Sequence, residues 1–252
     1  MASMNPILSA QGIQQRFGEL TAVDDVSVDI RENSIHAVIG PNGAGKTTLF
    51  NILAGTQSPT AGKVVYAGRD VTSMPIHQRV KIGMSKSFQR TSLFADLTVL
   101  ENVRLAVQAA DGAEPYVFWR STDPGGRLSG IAEELLGSVG LRALSGARVG
   151  EISHAAQRTL EIALALASKP KIIFLDEPLA GMSIDDIHRA KHLIRSLSER
   201  MTVVLIEHNM SVVLGISDTI TVMARGRKIV EGPPEAIRSH PDVRQVYLGH
   251  AP

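Results

Sequence analysis

The sequence predicts an α/β fold, and three patterns predict it. Continuous apolar runs of strand length alternate with helical spacing through the last third of the chain. The first third is instead rich in β-type segments broken by turns. Between an apolar run and a helical pattern lies a glycine cluster, Gly40-Pro41-Asn42-Gly43-Ala44-Gly45. With 252 residues the chain fits one large domain or a domain carrying a subdomain.

Taken in order, Ile7–Gln15, Val26–Ile30 and Ile35–Ile39 read as strands. The third runs straight into the glycine cluster, and a helix follows from Lys46 to about Ala54. Val64–Tyr66 and Ile82–Ser87 are further short strand candidates. Val99, Val103, Ala106 and Val107 recur at helical spacing, which predicts a helix over Val99–Ala110. Asp111–Gly130, rich in Gly, Pro and polar residues, reads as a loop or insertion. Ile131–Val139 and Ser153–Ala167 are helical again, so 95–165 is expected to be a helical insertion within a single domain spanning 1–252.

Ile172–Leu175 is a buried strand, and Ile184–Arg200 a helix. Ser183 is its N-cap, and Asp185 and Asp186 stand in its first turn, where the helix dipole favours negative charge. Val203–Ile206 is another strand, followed by a short helix near Asn209–Gly215. Thr219–Met223 and Lys228–Glu231 flank Arg225-Gly226 as a hairpin. Buried strands alternating with helices point to a parallel sheet covered on both faces.

Composition excludes several classes. Apolar residues are 44% of the chain and charged residues 20%, which is globular usage. Without cysteine there are no disulfides, thiolate metal sites or cysteine nucleophile. A net charge of +1 and only 4% aromatics argue against a nucleic-acid surface. Met1–Ala10 lacks the features of a signal peptide, and the apolar runs are far shorter than the roughly 20 residues that span a bilayer. The expectation is a cytoplasmic protein that reaches a membrane only through a partner.

Two motifs carry chemistry. Gly40 to Thr47 matches G-x-x-x-x-G-K-[ST], the phosphate-binding loop, between the strand and helix it requires. Glycines let backbone N–H groups turn inward around phosphates, and the helix N-terminus adds partial positive charge. Lys46 is placed to reach the β- and γ-phosphates, and Thr47 to offer a hydroxyl to Mg²⁺. The second motif is Ile172-Ile173-Phe174-Leu175-Asp176-Glu177, an apolar strand ending in two acids. Ligands of open α/β sheets bind beyond strand C-termini. There Asp176 can hold Mg²⁺ through water, and Glu177 can act as general base toward an attacking water.

With Gln89, Ser153 and His208 added, the chain resembles the nucleotide-binding subunit of ATP-binding cassette (ABC) transporters from about Ser9 to Gly249. The resemblance implies a P-loop NTPase core with a mixed sheet, an N-terminal antiparallel β subdomain and a helical insertion. It implies ATP and Mg²⁺ as cofactors. Phe17 would stack on adenine, and the phosphate loop with Thr48 would hold the phosphates. Gln89 would sense Mg²⁺ and the attacking water, and His208 would contact the γ-phosphate. Ala180-Gly181-Met182-Ser183 would face a second ATPase subunit, and Phe88 to Asn102 a membrane permease.

One motif departs from the family. Its L-S-G-G-Q signature corresponds to Ile152-Ser153-His154-Ala155-Ala156, 23 residues before Asp176. Ser153 is retained, but both glycines and the glutamine are replaced. In the family this stretch binds the γ-phosphate held by the facing subunit. A weakened contribution to that facing site is expected, in a homodimer or a heterodimer.

Ser87-Phe88-Gln89, Leu97–Val103, Leu160–Ala163, Glu177–Ser183 and the tail Gly232–Gly249 look like importers of branched-chain amino acids. Urea and short-amide importers share much of that pattern. Two alternatives stand beside the importer reading: a soluble ABC ATPase, and a regulatory subunit that binds ATP without turning it over. A kinase or GTPase lacks support, since no N-K-x-D motif is present.

Overall fold

The computed structural model describes residues 6–87, 93–111 and 126–248. β1 (Leu8–Phe17) and β2 (Leu20–Ile30) pair antiparallel with several register shifts. β2 starts at Leu20 rather than Val26. Its first half carries Asp24 and Asp25, which hide the alternation, and Asp25 sits at φ 53, where the strand is irregular. β3 (Ile35–Ile39) is buried throughout and leads to α1 (Lys46–Ala54). β4 (Ala61–Tyr66) pairs with β1, and the two-residue β5 (Arg69–Asp70) pairs with β4.

The segment read as one strand, Ile82–Ser87, shortens to β6 (Met84–Lys86). An unanticipated helix, α2 (Ile76–Lys81), precedes it and is too short for a 3.6-residue period to show. α3 (Val99–Ala110) opens on a capping box between Thr98 and Glu101. α4 (Arg127–Ser138) begins inside the stretch that composition marked as loop. α5 (His154–Leu166) is capped by the Ser153 hydroxyl.

β7 (Ile172–Asp176) is followed by α6 (Ile184–Ser198), whose Ser183 cap accepts from the Asp186 N–H, as expected. β8 (Thr202–Ile206) leads to α7 (Met210–Ile216), capped by Asn209. β9 (Thr219–Ala224) and β10 (Arg227–Gly232) form the expected hairpin. Its turn residues Arg225 and Gly226 have φ of 49° and 78°, the positive values of a type I′ turn. α8 (Pro234–Ser239) and α9 (Pro241–Leu248) close the described chain and were not anticipated, being short and polar.

The strands form two sheets. One is antiparallel, in order β2-β1-β4-β5. The other runs β10-β9-β3-β8-β7-β6, with only β10 antiparallel to its neighbour. The parallel strands expected from the buried apolar runs form most of this sheet, and the expected hairpin supplies its antiparallel edge strand. The mixed sheet and the separate antiparallel sheet are those the family resemblance implied.

Alternation explains how the larger sheet is buried on both faces. Val38, Phe174, Val204, Ile206 and Met223 point to one side, into a core with α1 and the antiparallel sheet. Ile35, Ala37, Ile39, Ile173, Leu175, Val203 and Leu205 point to the other, into a core shared with α3 to α7. Phe174 meets Phe50 of α1 edge to face, with ring centroids 5.5 Å apart. Each such fully buried side chain contributes about 1.5–3 kcal/mol. Because β3, β7 and β8 run parallel, their C-terminal ends align at one edge. The phosphate loop, Glu177 and His208 all leave the sheet there.

Candidate functional site

The loop after β3 is held tightly. The Ala44 N–H donates to the Pro41 carbonyl at 3.2 Å, and the Ala44 carbonyl accepts from the Gly226 N–H at 3.1 Å. Gly45 has φ 92°, and a Cβ there would fall 2.3 Å from the Ala22 carbonyl oxygen, so only glycine fits. No side chain caps α1, and its first turn carries no acid. The first N–H groups of α1 are thus free to meet an anion.

Lys46 folds back over this loop. Its Nζ donates to the carbonyls of Gly40 and Pro41, each at 2.9 Å. Burial lowers its ammonium pKa, and the nearby Glu177 charge works in the opposite direction. Phe17, 51% exposed, and Leu20, 66% exposed, stand at the lip of the same cavity of about 620 Å³. Asn42 to Thr48, Glu177 and His208 line it. Fold and loop thus bring Phe17, Asn42 to Thr48, Glu177 and His208 of the candidate site residues to one cavity.

The acids behave differently from one another. Asp176 is buried, and among the described residues neither carboxylate oxygen has a hydrogen-bond partner. Burial pushes its pKa up, and the positive charge of Lys86 is the largest influence against that rise. Asp176 does not itself line the cavity, but it stands at the end of β7 directly before Glu177, which does, and an orphaned pair of carboxylate oxygens there suits a hydrated divalent cation. Thr47 and Asp176 therefore fit Mg²⁺. Gln89, the third expected metal contact, lies outside the described residues.

Glu177 leaves β7 at φ 48°, a strained left-handed conformation for a residue with a Cβ. Its Oε1 lies 2.5 Å from His208 Nε2. Glu207, which no sequence pattern singles out, is buried. Its carboxylate accepts from the Leu179 N–H at 2.9 Å and the His208 N–H at 3.2 Å, tying the segment after Glu177 to the end of β8. Burial raises the Glu207 pKa first of all, and those two N–H groups oppose the rise. Arg225 and Gly226 also line the cavity, and their hairpin turn was the only signal of them.

Ser153 is not brought to this cavity. Its hydroxyl accepts from the Ala156 N–H at 3.2 Å, and it lines a separate cleft between α5 and α6 with Ala155 and Ala156. The His154 ring reaches to within 3.5 Å of where a Cβ on Gly181 would lie.

A helix N-terminus with open donors, a lysine over the loop and two acids at the C-terminal end of β7 can bind a polyphosphate and activate water beside it. Fold and site place the chain among the phosphate-loop nucleoside triphosphatases of the ABC ATPase type. Residues 23–180 match the family model for ABC transporters, and 227–252 match a model for branched-chain amino acid ATP-binding cassette transporters. The high-affinity branched-chain amino acid transport ATP-binding protein LivG of Salmonella typhimurium is 37% identical, covering 98% of this chain and 99% of its own. BraF of Pseudomonas aeruginosa, described in the same words, is also 37% identical over 98% and 99%. A solved nucleotide-free ATP-binding cassette from an ABC transporter superposes with a TM-score of 0.85 at 28% identity, over 96% and 98% of the two chains. This chain belongs to the ABC transporter family of ATP-binding proteins.

Proposed function

We propose that this protein is the ATP-hydrolysing subunit of an importer for branched-chain amino acids or related small polar solutes. The observation that carries the reading is one cavity holding the phosphate loop, Glu177 and His208, on a chain whose C-terminal segment matches the branched-chain amino acid transporter model. ATP would lie with its adenine on Phe17 and its phosphates over Gly40 to Thr48. Lys46 would exchange its two carbonyl partners for the β- and γ-phosphates.

Thr47, Asp176 and Gln89 would hold Mg²⁺, which when bound neutralises charge on the phosphates. Glu177 would take the proton of the attacking water. The Glu177–His208 contact gives that step a starting position. When His208 turns to the γ-phosphate, Glu177 is released to face the water.

Two such subunits, alike or related, would close around ATP on the cytoplasmic side of a membrane. Among the described residues no helix is long and apolar enough to cross a bilayer, so permease subunits would supply the path. Residues 95–165 would be a helical subdomain that moves with the permease. An apolar groove between α2, α3 and α5, of about 530 Å³ with Phe94 exposed at its edge, would seat a short helix of that permease.

The test is transport and ATP hydrolysis in vesicles holding the co-expressed permease and this subunit. Uptake that needs ATP and an unaltered Glu177 is the expected result; uptake indifferent to Glu177→Gln would refute it. A second reading, a regulatory subunit that binds ATP without turnover, draws on Ala155 and Ala156 in the signature stretch. Single-turnover hydrolysis separates the two: equal, negligible product with and without Glu177→Gln favours the regulator.

A further inference from the structure

Arg79, on α2, is 1% exposed, and its guanidinium is spent entirely on main-chain carbonyls. Nη1 donates to Leu53 at 2.8 Å and Ile52 at 3.3 Å, the last-turn carbonyls of α1. Nη2 donates to Val71 at 2.6 Å and Thr72 at 3.3 Å, and Nε to Met74 at 2.8 Å. A cation at a helix C-terminus satisfies orphan carbonyls and complements the dipole. Gly55 is needed for this grip, since a Cβ there would lie 2.3 Å from Arg79 Nε.

A second cation grips the same helix. Lys86 Nζ donates to Asn51 Oδ1 at 2.6 Å and sits 5.3 Å from the centroid of the Phe50 ring. Both Asn51 and Phe50 belong to α1, the helix that begins at Lys46 and Thr47.

Arg79 meets the C-terminal end of α1, the end away from the phosphate loop, and Lys86 meets its middle, within reach of the Asp176 charge; the apolar groove adjoins both. Lys86 lines that groove, and so do Ile76, His77 and Val80, the α2 neighbours of Arg79. Groove wall and phosphate-binding helix are therefore fastened by charge-assisted hydrogen bonds rather than by apolar packing alone. Such bonds are directional, so a displaced α2 or β6 must drag α1 or break them.

We propose that Arg79 and Lys86 are positioning residues that link the groove to the phosphate-binding helix, so that a permease segment seated in the groove changes nucleotide turnover through α1. The proposal rests on the reading of the groove as a permease dock. Its chemistry is a mechanical coupling between two sites through one rigid element.

The test is a double-mutant cycle on the assembled complex, with Lys86→Met, Asn51→Ala and both together. The readout is the ratio of ATPase rate in the complex to that of the isolated subunit, alongside affinity for a fluorescent ADP analogue. Each single change should lower that ratio about five-fold, with the double change no worse, because either change cuts the same link. A ratio left unchanged, or losses that multiply, would overturn the proposal. Lys86→Arg should restore the ratio, which loss of a merely structural lysine would not demand.

Asn51 does not line the groove, so Asn51→Ala decides the matter even where Lys86→Met weakens docking. Ala109→Glu, in the groove wall, should abolish co-purification of the permease. Co-purification that survives it refutes the docking reading itself, a result distinct from failure of the link.

Discussion

The loop Gly40–Thr47 and the stretch Ile152–Ala156 are both glycine-type phosphate contacts in the family pattern, and this chain treats them differently. The first keeps its glycines, and a Cβ at Gly45 would collide with a neighbouring carbonyl. The second has Ala155 and Ala156 where the family pattern has glycine and glutamine, and its serine hydroxyl is engaged as a helix cap. The first region is shaped by its own chain: Lys46 Nζ meets the Gly40 carbonyl, and the Gly226 N–H meets the Ala44 carbonyl. The second is exposed or half-exposed at the start of α5, where under the proposed function it would meet a facing subunit. On that reading constraint would be strict where one chain builds a site and relaxed where it lends residues to another.

Breaking the first region should have the largest effects. Glu177→Gln should lower steady-state hydrolysis by about 10²–10⁴-fold while ATP binding persists, measured by phosphate release and equilibrium binding. Lys46→Ala should weaken nucleotide affinity by about 2 kcal/mol, roughly 30-fold, as charged contacts to phosphate are lost. A binding titration with fluorescent ADP checks it; an unchanged affinity would place the phosphates elsewhere.

The second region should respond in the opposite sense. Ala155→Gly with Ala156→Gln should raise the ATPase rate of the assembled complex several-fold, with its own phosphate loop untouched. No change in rate would sink the idea that the signature stretch is weak. The smallest effect belongs to Ser153→Ala. Losing the α5 cap should cost about 1 kcal/mol in urea unfolding, whatever it does to the rate.

How much was legible beforehand follows the same division. Gly40–Thr47 and Asp176-Glu177 could be read because local spacing and flanking strands specify them. Ser183 could be read as a cap because a hydroxyl before two acids is a local signal. Arg79, Lys86 and Glu207 could not, because a buried charge looks like an exposed one until its partners from other segments are known. α2, α8 and α9 were missed because helices of six to eight residues show too little of a 3.6-residue period. The antiparallel direction of β10 against β9 was legible too, because Arg225-Gly226 between two short β-type runs is a local hairpin signal.

The turn at Arg225-Gly226 has one more consequence. Its amides and carbonyls join Ala44 and Asp24, and Arg227 bonds Asp24 across 203 positions of the chain. The nucleotide cavity is thus closed by residues that leave the ribosome long after the phosphate loop does. During synthesis the loop emerges without its lid, and nucleotide cannot be properly held until β9 and β10 have been made and have docked. Assembly of the site is then timed by the end of translation, so a truncated chain should neither hold ATP firmly nor consume it.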